Sequence, residues 1–407
     1  MIFLLVACTA ATMAESVDSA MVDYLQSEHG VTTYKGNRVR LFYTGEEKFR
    51  DMFAAIRSAH HSVNLEYFNF RNDSIAGALF DLLAQKAAEG VKVRALYDAF
   101  GNSSNNRPLK KHHLDSLRSR GVEIYEYDPL TFPWLNHIFH RDHRKIVVID
   151  GKIAYTGGMN VADYYVNGLP EIGDWHDRHL CVEGPVVALL QRIFFKMWWR
   201  QTREMVVAAD YYPAPDYHWI GADAEDVRAA VVNREPCLTP AIMRRTMSHA
   251  IDLAESHVQI VNPYFVPTRS VMRALKRALR RGVEVEILIA AKSDIPFTPD
   301  ASFCKLHRLM KRGAKVYVAN NGFHHSKIMM IDGRFSTVGS TNLDSRSLRF
   351  DFEENLFLFS PALTDSLSSH FEADKRESTL MTPQTWCARS RWRRFVGWFA
   401  NMLSFCI

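Results

Sequence analysis

The chain has 407 residues, too many for one ordinary hydrophobic core and enough for two domains of ordinary size. At 47% hydrophobic and 23% charged residues its composition is globular, which excludes a disordered chain. A net charge of +5 suits an anionic membrane surface as well as nucleic acid, and by itself decides neither.

Residues 1–13 form an apolar run too short to span a bilayer, and no Lys or Arg precedes Lys35. The run resembles the end of a secretory signal, and Leu5-Val6-Ala7-Cys8 resembles a lipobox that would acylate Cys8, although the basic stretch expected before such a run is missing. The alternative is an ordinary apolar N-terminus, and residues 1–30 are set apart on these grounds.

From 41 onward, hydrophobic periodicity predicts helices over 49–59, 76–89 and 110–120, and strands over 63–67, 91–97 and 122–127. The pattern then recurs, with helices over 241–255, 270–281 and 303–312 and strands over 258–261, 283–290 and 314–318. The stretch GVKVRALYD at 90–98 matches GVEVEILIA at 282–290, and RGVEIYEY at 120–127 matches RGAKVYVA at 312–319. An internally duplicated α/β chain is the reading, with halves at 31–207 and 227–380, a Pro- and Tyr-bearing linker at 208–226 and a tail at 381–407. Both halves are expected to contribute to one site, so their interface should be large and apolar.

The duplication is sharpest in one motif. His143, Lys145, Asp150, Gly157 and Asn160 recur as His325, Lys327, Asp332, Gly339 and Asn342, each displaced by the 182 residues that separate His143 from His325. His and Lys two apart share one face of an extended strand, the Ile-Val-Val-Ile run after them is a buried strand, and Asp150-Gly151 signals a hairpin turn. Such a hairpin carries His, Lys and Asn to one rim. Asp150 and Asp332 stand seven residues past the His, an odd offset that turns them to the opposite strand face, so they read as structural members of the motif. A neutral imidazole can attack or accept a proton, an ammonium supplies fixed positive charge, and an amide donates to an anionic oxygen. Two such sets facing one phosphorus suit displacement at a phosphodiester.

The paired HxKxxxxDxxxxxxG(G/S)xN stretches resemble the two HKD motifs of the phospholipase D superfamily, and the chain from Arg38 to Asp374 is most similar to bacterial cardiolipin synthases. The resemblance implies two α/β/α sandwich halves packed around one shared active site. It also implies a two-step phosphatidyl transfer without metal or other cofactor. In that scheme His143, Lys145, Asp150, His325, Lys327 and Asp332 form the catalytic motifs, His143 becomes a phosphohistidine, and His325 is the acid and base. Asn160 and Asn342 would bind the substrate phosphate. Setting Pro185 on Pro361 places Asp177 opposite Glu353, and in the family an acid here supports the imidazole of its own half; Glu354 is the alternative after a one-residue slip.

Other features are weaker. Cys8, Cys181, Cys237, Cys304, Cys387 and Cys406 form no CxxC pair and read as free thiols. His137, His140 and His143 are three apart, but nearby prolines and the following strand disfavour a helical metal cluster. The aromatic loop 129–135 could enter headgroups or pack internally, the 194–200 stripe reads as core, and the basic residues from Arg273 to Arg281 read as a solvated helix face. In the tail, Arg389, Arg391, Arg393 and Arg394 interleave with Trp392 before an uncharged run over 395–407, which suggests an anchor on an anionic membrane, the alternative being a terminal helix docked on the protein. The leading expectation is a membrane-associated bacterial transferase that makes cardiolipin from phosphatidylglycerol. A phospholipase D hydrolase comes second and a nuclease third, because no aromatic stacking stripe lies in a basic groove and no nucleic-acid partner is expected. No GxSxG elbow supports a serine lipase.

Overall fold

The computed structural model describes residues 18–132, 139–293 and 298–402. The apolar segment with Cys8, residues 133–138 of the aromatic loop region with Trp134 and His137, and the end of the tail with Cys406 lie outside the described residues.

After a helix through 18–29, the first half contains β1 (Tyr34–Phe42), α1 (Gly45–Arg57), β2 (Ser62–Tyr67), α2 (Ser74–Ala88), β3 (Lys92–Asp98), α3 (Lys111–Ser119) and β4 (Glu123–Tyr127). The hairpin β5 (Ile146–Ile149) and β6 (Ile153–Gly157) follows, then β7 (Trp175–His176), β8 (His179–Glu183) and α4 (Val186–Thr202). The second half opens with β9 (Val227–Arg234), α5 (Ile242–Leu253), β10 (His257–Val261), α6 (Arg269–Arg281), β11 (Glu284–Ala290), α7 (Thr298–Met310) and β12 (Lys315–Ala319). It continues with β13 (Phe323–His324), the hairpin β14 (Ile328–Ile331) and β15 (Phe335–Gly339), β16 (Glu353–Phe359), α8 (Pro361–Arg376) and β17 (Ser378–Met381). Two tail helices close the chain, α9 (Pro383–Ala388) and α10 (Arg391–Met402).

One 15-stranded sheet runs β17-β12-β11-β10-β14-β15-β16-β9-β1-β8-β6-β5-β2-β3-β4. Apart from β17, the order read inward from either edge is the same, so a pseudo-twofold axis passes between β1 and β9, which pair antiparallel. The duplication seen in the sequence is therefore a duplication of topology. The halves do not merely pack: backbone pairing of β1 with β9, with a register shift between Tyr34 and Asn37, joins them.

Strand alternation sends side chains to two layers. Val147 and Ile149 point to the face covered by α1, α2 and α3, whereas Ile146 and Val148 point to the face covered by α4. This second core crosses the pseudo-axis. Leu180 and Val182 of one half share it with Val231, Leu356 and Leu358 of the other, which is the apolar interface that the sequence called for. The 194–200 stripe is core, with Phe194, Phe195, Met197 and Trp198 buried beside Tyr211.

Residues 208–226 are strapped to the first half rather than slack. Lys152 pairs with Asp216 at 2.6 Å, the Trp219 and Ile220 amides donate to the Glu183 carboxylate, and Trp219 Nε1 donates to Asp51 at 2.9 Å. Cys181 is buried, Cys304 half-buried, and Cys237 and Cys387 exposed, all as free thiols. Among the described residues no helix is long and apolar enough to cross a membrane.

Candidate active site

Each HKD stretch folds as a hairpin for local reasons. Asp150 and Gly151 have φ of 52° and 67°, and Asp332 and Gly333 have φ of 52° and 65°, the left-handed pair that a two-residue turn between twisted strands requires. The Asp side chains then cap the neighbouring strand entry. Asp150 accepts the backbone N–H groups of His60, His61 and Ser62, each at 2.8 Å, and Asp332 accepts those of Glu255, Ser256 and His257 at 2.8, 2.9 and 2.7 Å. Both carboxylates thus sit at the turn, a whole strand away from the His and Lys. Grouping them with the catalytic residues is corrected accordingly: they fix the register of the strand that presents the histidine.

At the other end of β5 and β14 the two sets meet across the pseudo-axis. Nδ1 of His143 lies 3.0 Å from Oε1 of Glu353, and Nδ1 of His325 lies 2.7 Å from Oδ2 of Asp177. Each imidazole is held by a carboxylate from the opposite half, which corrects the expectation of support within one half. The backbone explains the exchange. The His143 N–H donates to Phe352 O at 3.0 Å and the His325 N–H to His176 O at 2.7 Å, so each histidine is laid against the residue preceding the other half's acid. Around the second histidine, β7 and β13 form a parallel two-residue ladder, Phe323 with Trp175 and His324 with His176; around the first, Asp142 bridges to Phe352. Glu354, one residue on, faces the opposite way and accepts the Thr156 hydroxyl, so it is not the imidazole's partner.

The rest of the motif closes around these rings. Lys145 and Lys327 are fully buried and each donates to the carbonyl of its own histidine; Lys327 Nζ also sits 3.0 Å from His325 Nε2. Asn160 and Asn342 are both 5% exposed, and the side-chain oxygen of each is buried without a hydrogen-bond partner, a matched pair of unsatisfied amide oxygens. Gly158 explains its own identity: a Cβ there would stand 2.1 Å from Asp177 Oδ1. Its counterpart Ser340 instead donates its hydroxyl to Glu353.

Burial in this cluster moves the titrations. His143 is held well below the usual histidine range by desolvation and by the charges of Lys145 and Lys327, so it is neutral at physiological pH. Desolvation lowers Lys145 to about 7 and raises Glu353 to about 7, each opposed by the other's charge. His325 adds to the field at His143, which places both imidazoles within one electrostatic site. Among the described residues no group of His, Cys, Asp or Glu is arranged to hold a metal ion.

Aromatic rings wall the site, and sequence reasoning did not select them. Phe68 lies edge-on to His143 with centroids 4.9 Å apart, while Trp175, Phe323 and Tyr264 lie 5.3, 5.5 and 6.2 Å from His325. Phe68 and Tyr264 follow β2 and β10, the strands that flank each HKD hairpin, and that position was the available signal.

A family model described as Cardiolipin synthase, PLD-like domain, matches residues 52–198 and 247–375. The chain is 34% identical over 385 residues to a probable cardiolipin synthase of Bacillus subtilis (strain 168), an alignment covering 93% of this chain and 74% of that one. It is 34% identical over 366 residues to a cardiolipin synthase of Geobacillus sp. (strain WCH70), covering 90% and 71%. Among solved structures, phosphatidylserine synthase of Haemophilus influenzae Rd KW20 shares the fold, with a TM-score of 0.69 over 91% of this chain and 95% of that one at 14% identity. A duplicated α/β sheet with two HKD hairpins meeting at its pseudo-axis is a two-motif phospholipase D-like architecture. Within that class, the chain belongs to the family of cardiolipin synthases with phospholipase D-like domains.

Proposed function

We propose that the chain is a cardiolipin synthase-type phosphatidyltransferase, moving the phosphatidyl group of phosphatidylglycerol onto a second phospholipid at an anionic bacterial membrane. The observation that carries the chemistry is the pair of buried imidazoles, each tied at Nδ1 to a carboxylate, which directs Nε2 of His143 to attack, while Lys327 Nζ stands 3.0 Å from Nε2 of His325. The names of the relatives supply the substrate class.

In the first step Nε2 of His143, neutral through its burial, attacks phosphorus; the P–N bond forms, the P–O bond to glycerol breaks, and the leaving oxygen takes a proton from His325. In the second step the acceptor hydroxyl gives its proton to His325 and its oxygen attacks phosphorus, releasing neutral His143. Glu353 and Asp177 orient the rings and offset the charge that develops on them. Lys145, Lys327, Asn160 and Asn342 hold the non-bridging oxygens, and an arriving phosphodiester raises the affinity of Lys145 for its proton.

The test is product analysis with labelled phosphatidylglycerol in mixed micelles containing a chelator. Cardiolipin plus glycerol is expected; phosphatidic acid as the main product would make the protein a hydrolase.

A further inference from the structure

We infer that helices α6, α7 and α10 together form a docking face for an anionic phospholipid bilayer on the second half of the chain. The inference rests on the phospholipid reading of that site and adds the surface through which the bilayer is met.

α6 carries Arg269, Arg273, Lys276, Arg277, Arg280 and Arg281 and no acidic residue. Its apolar positions Val271, Ala274, Leu275 and Ala278 are buried against the sheet, which turns the basic positions outward. Arg277 is neutralised by Asp252 at 2.5 Å and Arg281 caps carbonyls at the end of α5, so both have structural employment. Arg269, Arg273, Lys276 and Arg280, together with Lys305 and Arg308 of α7 and Arg312 just beyond it, have no ion-pair partner among the described residues. A groove of about 300 Å³ between the two elements is lined by five cations: Arg273, Lys276, Arg277, Arg280 and Arg312. Arg312 and Arg308 add to desolvation in depressing the Lys276 ammonium, a sign of concentrated positive potential. A solvated helix face gains nothing from such crowding, whereas an anionic surface relieves it.

α10 supplies the apolar edge. Trp392, Phe395, Trp398, Phe399 and Met402 recur at helical spacing along one stripe and are 70, 50, 50, 46 and 56% exposed. The opposite stripe is pinned to α7: a Cβ on Gly397 would lie 2.4 Å from Asp300 O, Asn401 Nδ2 donates to Ala301 O at 2.9 Å, and Ala400 is buried against Val266 and Ala301. The helix is thus docked on the protein and presents its rings outward, uniting the two alternatives for the tail. Lys305 is one helical turn from Ala301, against which α10 docks, and feels the charges of Arg269 and Lys276, so α7 links the docked helix to the basic face. Val266, which packs against Ala400 of the docked helix, is two residues beyond Tyr264, whose ring lies 6.2 Å from that of His325, so one short segment connects the docked helix to the wall of the site. Basic residues flanking exposed Trp and Phe match the chemistry of a headgroup layer over acyl chains; a nucleic acid would use the cations and leave the stripe uncovered.

The experiment compares full-length protein on vesicles of phosphatidylcholine and of phosphatidylcholine with phosphatidylglycerol by co-sedimentation, with turnover of detergent-dispersed phosphatidylglycerol as a separate readout. Binding to the anionic vesicles is expected to exceed that to the neutral ones and to fall with salt. The variant Arg273→Glu, Lys276→Glu, Arg280→Glu should lose about tenfold or more of the anionic increment, with micellar turnover within about twofold of the parent. Trp392→Ser with Phe399→Ser should weaken binding to both vesicle types while circular dichroism stays unchanged. An anionic increment that survives charge reversal would overturn the inference, as would charge reversal that abolishes duplex DNA binding and leaves vesicle binding intact. Vesicle binding with these dependences but no phospholipid turnover would sustain the docking face and remove the proposed reaction instead.

Discussion

Nδ1 of His143 lies 3.0 Å from Oε1 of Glu353, a carboxylate that the opposite half of the chain delivers. The reciprocal contact, His325 with Asp177 at 2.7 Å, makes the two hairpins interdependent: neither half contains an oriented imidazole by itself. The two acids should therefore fail differently. Glu353→Gln disables the proposed nucleophile and should suppress the covalent phosphohistidine, whereas Asp177→Asn disables the acid and base and should slow its formation and its breakdown alike. Each should reduce turnover by about 10²- to 10⁴-fold. Acid quenching followed by mass spectrometry of the His143 peptide separates the cases, and an adduct that forms normally in Glu353→Gln would refute the exchanged pairing.

Removing either imidazole should abolish turnover while leaving the fold intact, because both rings lie before the first residues of β5 and β14, outside the apolar clusters that hold the sheet to its helices. His143→Ala should show no adduct at all. His325→Ala should retain slow labelling with donors whose leaving group needs no proton, such as a nitrophenyl phosphodiester. Synthesis retained by purified His143→Ala would defeat the covalent scheme as assigned.

Asp150 belongs to the motif but holds backbone. Its three amide contacts at 2.8 Å and its left-handed φ of 52° predict that Asp150→Ala costs about 2–4 kcal/mol of stability, from charge-assisted bonds worth roughly 1.5–3 kcal/mol each less what water restores. Specific activity per folded molecule should stay near the parent value. Urea unfolding midpoints and active-site titration check the two parts separately.

What was legible in the sequence was local. The duplicated spacing, the Asp-Gly turns and the β/α periodicity each depend on residues near one another in the chain, and they located both hairpins and all six predicted helices. Boundaries slipped where caps rule: α1 begins at Gly45, four residues before the predicted start, because Thr44 and Glu47 form a capping box. What was not legible was decided at long range. Strand β1, YKGNRVRLF, has only a weak alternation and was not selected, yet it pairs with β9 across about 190 positions, as the Gly36 contact with Asp226 shows. The exchange of acids between halves hangs on β7 and β13, two residues each, too short to leave a periodic trace. Family resemblance supplied the right acids and the wrong partners for them.

The titrations near 7 set a pH dependence. Glu353 must be ionised to orient His143, and Lys145 must be protonated to hold phosphate, so kcat/KM should be bell-shaped with both limbs near neutrality, read on the free enzyme. Stability follows with a definite sign. Glu353 titrates at about 7 when folded and near the ordinary glutamate value of about 4.5 when unfolded, so the folded state binds the extra proton between them and loses stability as pH rises through that window. A glutamine does not titrate. The stability of Glu353→Gln relative to the parent should therefore increase from pH 4.5 to 7 and level off above it, by an amount on the order of 1–3 kcal/mol. Urea midpoints at pH 5 and pH 7.5 measure it, and a difference independent of pH would show that the carboxyl is not desolvated as described.

The two halves differ where Gly158 of the first motif corresponds to Ser340 of the second, and the difference is testable. A methyl at 158 would stand 2.1 Å from Asp177 Oδ1, closer than any real contact, so Gly158→Ala must push the carboxylate off His325 or shift the β6 exit. Ser340 occupies the matching place in the other half and already carries a Cβ; there the hydroxyl donates to Glu353, and Ser340→Ala removes a bond without creating a clash. Gly158→Ala should accordingly lower turnover by about 10²-fold or more, through the same loss of imidazole orientation as Asp177→Asn. Ser340→Ala should cost about tenfold, the lower end of the roughly 1.5–3 kcal/mol net worth of one hydrogen bond to a charged group, because Glu353 keeps its hydrogen bond from Ser347. It should also raise the acidic limb of the pH profile, since the hydroxyl favours the ionised form of Glu353. If Gly158→Ala instead kept full activity, the second glycine of the first motif would serve the turn alone, and the tight seat for Asp177 would have no part in placing His325.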